Sequence, residues 1–221
     1  MITYETVTRS SRATFFFDPI CPWTWITSRW LVEVAEARNI AVDWRSISLS
    51  ILNGGIEQMP EPYRELGRFS RQVQRVVEAI RETGDHDLAG RFYTEVGTRL
   101  HVYRESPGAD LLLVAAAGSG VADLLDSAHD PSWDDIIARS TEEAMQLAGP
   151  DVGSPVLALP GHDRGIYGPI VSPAPTGRDA LRLWDSLVTL FDVPGFYELK
   201  RGRTGAPVIR PAEVQAMASN G

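Results

Sequence analysis

The chain has 221 residues, of which 43% are hydrophobic and 23% charged, and its formal net charge is −8. This composition is typical of a soluble globular protein and excludes a coiled coil, a collagen-like chain and wholesale disorder. The acidic balance disfavours nucleic acid as the main partner. Because Cys21 is the only cysteine, an intramolecular disulfide and a cysteine-rich metal site are both excluded.

The longest apolar run, residues 111–117, is well short of the roughly 18 residues that span a bilayer. No apolar segment with a small-residue cleavage site marks a signal peptide near the N-terminus, so we expect a cytoplasmic protein that makes no membrane contact. The four histidines are scattered, and no metal site is expected.

The first fifty residues predict a β-α-β unit. Residues 1–12 are polar and are expected to form a loose arm, and residues 13–17 predict a short buried strand. Pro22 suits the first turn of a helix that continues to about Arg38. Residues 41–49 alternate with a period of two, which predicts a second strand.

Helical patterns then replace strand patterns for about a hundred residues. Predicted helices cover residues 63–82 and 88–101, a pair flanks Gly118–Gly120, and another runs from Ser132, an N-cap candidate, to Leu147.

The strand pattern returns after residue 150. Residues 155–159 and 165–168 predict two short strands, and a last helix is expected from Thr176 or Gly177 to about Phe191. This order predicts an α/β fold in which residues 13–50 and 150–200 form one domain and residues 51–149 an all-helical insertion.

Cys21 lies between the first strand and its helix, at the start of the helix. Free backbone N–H groups and the positive end of the helix dipole favour a thiolate there, so we expect the pKa of Cys21 to be depressed. Thr24 is three residues further along, where its hydroxyl can reach the sulfur. These two residues are therefore the candidate catalytic pair.

A second candidate element is the segment 152–155 (Val-Gly-Ser-Pro), which precedes a predicted strand. In a redox fold, a cis X-Pro bond beside the thiol exposes backbone groups that can pair with a substrate. We expect the Ser154–Pro155 bond to be cis, although most X-Pro bonds are trans.

Residues 17–25 (Phe-Asp-Pro-Ile-Cys-Pro-Trp-Thr-Trp) resemble the active-site segment of DsbA-like thioredoxin-fold proteins, and residues 152–155 resemble their cis-proline loop. The chain is most similar to the mycothiol-dependent nitroreductases of actinobacteria. Further blocks that carry this resemblance, in chain order, are residues 26–30, 48–53, 62–65, 97–101, 168–169, 183–185 and 196–200.

The resemblance implies a thioredoxin-like domain with an inserted all-helical domain, a homodimer, and mycothiol as thiol cosubstrate for reducing disulfides or nitro compounds. By position, Cys21 would be the attacking thiol. The residues that would line the substrate or mycothiol cleft are Trp23, Asn53 and Tyr63, with Arg99 and His101 as further candidates. No glycine-rich dinucleotide fingerprint follows a predicted strand, so no tightly bound cofactor is expected.

The chain departs from the family motif at Thr24, where the family has a second cysteine. A resolving thiol must then come from outside. Three functions stay open: a monothiol oxidoreductase that uses mycothiol, a thiol transferase or isomerase similar to kappa-class glutathione transferases, and a non-catalytic ligand-binding protein.

Overall fold

The computed structural model of the chain describes residues 11–210, whose strands form one four-stranded sheet of order β2-β1-β3-β4. The strands are β1 (Arg12–Phe17), β2 (Ala41–Ser46), β3 (Val156–Ala158) and β4 (Ile166–Tyr167). β1 pairs in parallel with β2 and antiparallel with β3, and β4 pairs antiparallel with β3. Most of the predicted arm, residues 1–10, lies outside the described residues, and Arg12 already belongs to β1.

Seven α-helices accompany this sheet within residues 11–210. Helix α1 connects β1 to β2, helices α2 to α6 lie in sequence between β2 and β3, and α7 follows β4. Their bounds are α1 Pro22–Arg38, α2 Leu49–Leu52, α3 Glu61–Glu82, α4 His86–Gly97, α5 Ala109–Ser119, α6 Asp134–Ala148 and α7 Gly177–Phe191.

The second strand, β2, is shorter than predicted because helix α2 starts soon after it, where a hydrogen bond to Asp18 holds the helix start. β2 ends at Ser46, and the Leu49 N–H that starts α2 donates to a carboxylate oxygen of Asp18 at 2.7 Å. The alternation in residues 47–49 therefore did not mark a continuing strand.

Two predicted helices also differ from the structure. The helix expected over residues 88–101 is α4 followed by a π-helical turn, Thr98–Val102, and the segment after Gly120 is a 3₁₀ helix, Ala122–His129. Ser132 is not an N-cap, since Asp130 accepts the Ser132 N–H at 2.9 Å and α6 begins at Asp134.

The main hydrophobic core contains residues of strands β1 to β3 and of helices α1, α3, α4, α5 and α7. At its centre, Tyr93 of α4 stacks on Phe17 of β1, with ring centroids 4.0 Å apart, and Trp44 of β2 meets Phe17 edge-on at 6.0 Å. Trp25 of α1 packs edge-on against Tyr93 at 5.8 Å. The division into a domain of residues 13–50 and 150–200 and an insertion of residues 51–149 stays a prediction.

Gly97, the last residue of α4, allows this helix to approach the ring of Trp25. A Cβ at residue 97 would lie 2.2 Å from two ring carbons of Trp25, which is fully buried. We expect Gly97→Ala to lower the free energy of unfolding by about 1–3 kcal/mol, because the buried ring cannot give way without repacking.

Urea denaturation measures this loss. Gly195→Ala is the matched control, since nothing lies within 4 Å of a Cβ at that position. Its free energy of unfolding should stay within about 0.5 kcal/mol of the unsubstituted protein. Equal denaturation midpoints for the two variants would contradict the close approach of α4 to Trp25.

Candidate functional site

Cys21 is the N-cap residue of α1, with extended backbone angles (φ −79°, ψ 113°) and Pro22 directly after it. Its carbonyl accepts the first helical hydrogen bond, from the Trp25 N–H at 3.0 Å. The residue is buried, with 8% of its surface exposed. The helix start that the sequence predicted is therefore present, but the thiol lies below the surface.

The loop around Ser154 packs directly against this thiol. The Sγ of Cys21 lies 3.7 Å from the main-chain oxygen of Ser154, to which the thiol can donate. The hydroxyls of Thr24 and Ser154 are 2.7 Å apart, and both side chains are buried. The Ser154–Pro155 bond is cis, as expected. The fold thus brings the predicted pair Cys21 and Thr24 against the predicted cis-proline segment, which is about 130 residues away in sequence.

The pKa of Cys21 is raised, so the expectation of a depressed value is wrong. Burial is the largest cause, because desolvation disfavours the charged thiolate. Hydrogen bonds from the Thr24 side chain and from the Thr24 and Trp23 N–H groups oppose it, while the nearby charge of Asp18 adds to it. The predicted effect of the helix start is present, but desolvation exceeds it.

Asp18, which the sequence analysis treated only as the end of a strand, organises the surroundings of the thiol. Its carboxylate accepts hydrogen bonds from the N–H groups of Ile20 (3.0 Å) and Leu49 (2.7 Å) and from the hydroxyl of Ser70 (2.7 Å). Its own N–H donates to the hydroxyl of Ser154 at 2.9 Å. Burial raises the pKa of Asp18, and these hydrogen bonds oppose the rise. An acidic residue directly after an apolar strand was the signal for this role.

His101 supports the loop before Cys21 from the π-helical turn. Its Nε2 lies 2.8 Å from the Pro19 carbonyl oxygen, and since a carbonyl only accepts, Nε2 carries the proton. Burial lowers the pKa of His101 to about 4, so the ring is neutral at pH 7. The ring also stacks on Trp25, with centroids 5.7 Å apart.

The ring of Trp25 also contacts Arg29, a buried arginine that the sequence analysis did not identify. The guanidinium of Arg29 lies 4.1 Å from the centroid of the Trp25 ring and donates to the Thr94 hydroxyl at 3.1 Å. Arg29 is the only charged residue among residues 22–32 of α1, and this was the available signal. Trp25 and Trp30 of the same helix are fully buried, so both are core residues.

The remaining predicted residues do not contact the thiol. Asn53 caps α2 through its own side chain, which donates to the Leu49 carbonyl at 2.6 Å, and Tyr63 is 56% exposed at the start of α3. Arg99 forms ion pairs with Glu95 (3.5 Å) and Glu105 (3.3 Å). None of the three makes a hydrogen bond, ion pair or ring contact with Cys21, Thr24 or Ser154.

Two absences bear on the chemistry of residues 11–210. No group of three or more histidine, cysteine or acidic side chains there could hold a metal ion. In the same span, no helix combines the length and apolar character that crossing a membrane requires.

Comparison with known proteins places the chain in a family. A family model described as "Rv2466c-like: Mycothiol-dependent nitroreductase Rv2466c" matches residues 20–201. The uncharacterized protein Rv2286c of Mycobacterium tuberculosis (strain ATCC 25618 / H37Rv) is 28% identical over 207 residues, which is 92% of this chain and 85% of that protein.

Solved structures share the fold at low sequence identity. The cytosolic disulfide reductase DsbM from Pseudomonas aeruginosa with GSH has a TM-score of 0.56 at 16% identity, over 81% of this chain and 100% of that one. The probable DsbA oxidoreductase SCO1869 from Streptomyces coelicolor has a TM-score of 0.51 at 18% identity, over 88% and 95%. These likenesses confirm the DsbA-like thioredoxin fold that the sequence predicted.

The depressed pKa of His101 predicts a specific loss of stability in acid. Below its ordinary pKa of 6.5 the histidine of the unfolded chain binds a proton, whereas the folded ring stays neutral down to about pH 4. Because the unfolded state then binds more protons, the free energy of unfolding should fall as the pH drops from 6.5 towards 4, by on the order of 2 kcal/mol.

His101→Gln, whose side-chain N–H₂ can still donate to Pro19, removes this titration and is the comparison. Urea denaturation of both proteins across this pH range measures the difference, and acid effects of Asp18 cancel because both proteins contain it. Parallel curves for the two proteins would contradict a buried, neutral His101.

Proposed function

We propose, on the premise that this chain belongs to the Rv2466c-like family of mycothiol-dependent nitroreductases, that it is a monothiol oxidoreductase acting through Cys21. Mycothiol is the proposed thiol cosubstrate, and disulfides or small electrophilic or nitro compounds are the proposed substrates. The supporting observation is the position of Cys21 at a helix start, against the cis-proline loop, with a threonine where the family has a second cysteine.

A hydrogen-bond chain supports a role for Thr24 in holding the thiolate. Ser154 Oγ accepts the Asp18 N–H, which leaves the Ser154 proton free to be donated to Thr24 Oγ1. Thr24 can then direct its own proton towards the Cys21 sulfur, the interaction that lowers the pKa of the thiol. A hydroxyl in this place stabilises a thiolate but cannot close a disulfide.

The cycle needs two external thiols for each two-electron reduction. The Cys21 thiolate attacks one sulfur of a disulfide substrate, an S–S bond forms to Cys21, and the other sulfur leaves as a thiolate that takes up a proton. A mycothiol thiolate then attacks the substrate sulfur of this mixed disulfide and releases Cys21. A second mycothiol exchanges with the resulting substrate–mycothiol disulfide, so the substrate is reduced to two thiols and mycothiol disulfide is formed.

The raised pKa means that Cys21 is protonated at rest and ionises as the pH rises. Its 8% exposure also requires the neighbouring loops to part before a disulfide can reach the sulfur.

Trp23, Asn53 and Tyr63 are proposed to line the cleft, with Arg99 and His101 beside it. We propose a cytoplasmic homodimer without a tightly bound cofactor, since a monothiol cycle depends on a reduced thiol pool.

A second candidate, a mycothiol S-transferase or isomerase, is favoured by the same raised pKa. A protonated and buried cysteine suits a site in which the cosubstrate supplies the reacting sulfur and the protein only orients it. Cys21→Ser separates the two functions, because it should abolish the oxidoreductase but leave most of a transferase or isomerase activity.

The first test is a covalent adduct. Reduced protein incubated with mycothiol disulfide at pH 8 should gain the mass of one mycothiol, located at Cys21 by peptide mass spectrometry, and should lose it on addition of free mycothiol. Cys21→Ser is the control and should gain nothing. A native, reduced protein that forms no adduct would exclude the monothiol cycle and leave the transferase or isomerase and the non-catalytic binding protein as the candidates.

The second test concerns the hydroxyl of Thr24. Thr24→Val keeps the shape of the side chain but removes its donor, so we expect the pKa of Cys21 to rise further and alkylation by iodoacetamide at pH 8 to slow about three- to tenfold. Thr24→Ser restores the donor and should restore the rate. The pH profile of the alkylation rate measures the shift, and identical profiles for the valine and serine variants would contradict the role of this hydroxyl.

A further inference from the structure

The side chain of Arg203 lies over Trp23, a tryptophan close to Cys21 in the chain. Its guanidinium carbon lies 4.8 Å from the centroid of the Trp23 ring. Trp23 is partly exposed and follows Cys21 by two residues, in the first turn of α1. The family match ends at residue 201, so this contact comes from a part of the chain beyond it.

The segment that carries Arg203 has no regular secondary structure but is attached on its C-terminal side. The Val208 N–H donates to the Ser172 hydroxyl at 2.8 Å, and the partly buried Ile209 packs against the main hydrophobic core. These two contacts keep residues 203–209 close to the molecule. Arg203 is therefore held over Trp23 at a defined place.

The segment around Arg203 is positively charged, whereas the chain as a whole is negatively charged. Lys200, Arg201 and Arg203 lie within four residues of each other, in a protein whose net charge is −8. Within residues 11–210, none of these three cations forms an ion pair with an acidic side chain. A guanidinium held over an indole keeps N–H donors for other partners, and those donors match the oxygens of a carboxylate or phosphate.

We propose that Arg203 is a specificity-determining residue that binds an anionic group, a carboxylate or a phosphate, on the molecule that reacts at Cys21. The contact with Trp23 holds the guanidinium next to the start of α1, and the anionic group pairs with the guanidinium N–H donors. Arg201 and Lys200 add to the local positive potential. The inference rests on the proposed function only in taking the Cys21 sulfur as the reacting atom.

A pair of alkylating reagents that differ in charge tests this proposal. The Cys21 thiolate attacks the CH₂ group of iodoacetate or iodoacetamide, a C–S bond forms, and iodide leaves with the electron pair of the C–I bond, so no oxidant or reductant is needed. The measurement is the ratio of the two rate constants, iodoacetate over iodoacetamide, at one pH and low salt.

We expect Arg203→Gln to lower this ratio about three- to tenfold. Arg201→Gln, which removes the same charge two residues away from the tryptophan contact, is the matched control and should change the ratio less. High salt should reduce the difference between the unsubstituted protein and Arg203→Gln, because it screens exposed charges. Inhibition of the iodoacetate reaction by sodium acetate or by inorganic phosphate separates the two kinds of anion.

Three results would overturn the proposal. An unchanged ratio in Arg203→Gln, or an equal change in Arg201→Gln, would show that Arg203 does not select anions. An equal acceleration of both reagents would show that Arg203 only shields the site. If neither reagent modifies Cys21 in the native protein, both this inference and the proposed function fail, whereas a lowered ratio without a mycothiol adduct would refute only the proposed function.

Discussion

The hydrogen bond from the Asp18 N–H to the Ser154 hydroxyl joins two parts of the chain that are 136 residues apart. It holds the cis-proline loop against the end of β1 and so determines what surrounds the sulfur of Cys21. The 2.7 Å contact between Ser154 and Thr24 depends on it, as does the approach of the Ser154 carbonyl to the thiol. Because the Asp18 carboxylate also accepts the Ile20 and Leu49 N–H groups, one residue connects the end of β1, the loop before α1 and the start of α2.

Two opposing effects act on the thiol that this arrangement encloses. The N–H groups at the start of α1 and the Thr24 hydroxyl favour the thiolate, while burial and the charge of Asp18 favour the protonated form. Burial is the larger effect, so the resting sulfur is protonated and shielded. A site of this kind reacts when its neighbours part, because access of water or substrate weakens desolvation while the hydrogen-bond donors stay in place.

Two further regions reach the site through ring contacts. The ring of Trp25 contacts both His101 of the π-helical turn and Arg29 of its own helix, and Gly97 gives α4 room to approach that ring. Trp23 meets Arg203 from the C-terminal segment. The tryptophans on either side of Thr24 therefore differ in environment: Trp25 packs in the core, whereas Trp23 is partly exposed and contacts the guanidinium of Arg203.

Local chemistry determined what the sequence could predict. The proline after Cys21, the apolar run of the first strand and the helical spacing of residues 177–191 are properties of short segments, and those elements lie where they were predicted. The motif at residues 17–25 and the cis-proline segment also identified the family, because they combine residue types in one order.

The tertiary structure decided where β2 ends and how Cys21 is protonated, since both features depend on groups from distant parts of the chain. The Asp18 carboxylate accepts the Leu49 N–H at the start of α2, where the sequence predicted a continuing strand. Burial raised the pKa of Cys21, which the helix start alone would have lowered. Burial and long-range hydrogen bonds have no local signature, and this is why the position of Cys21 was predictable while its protonation was not.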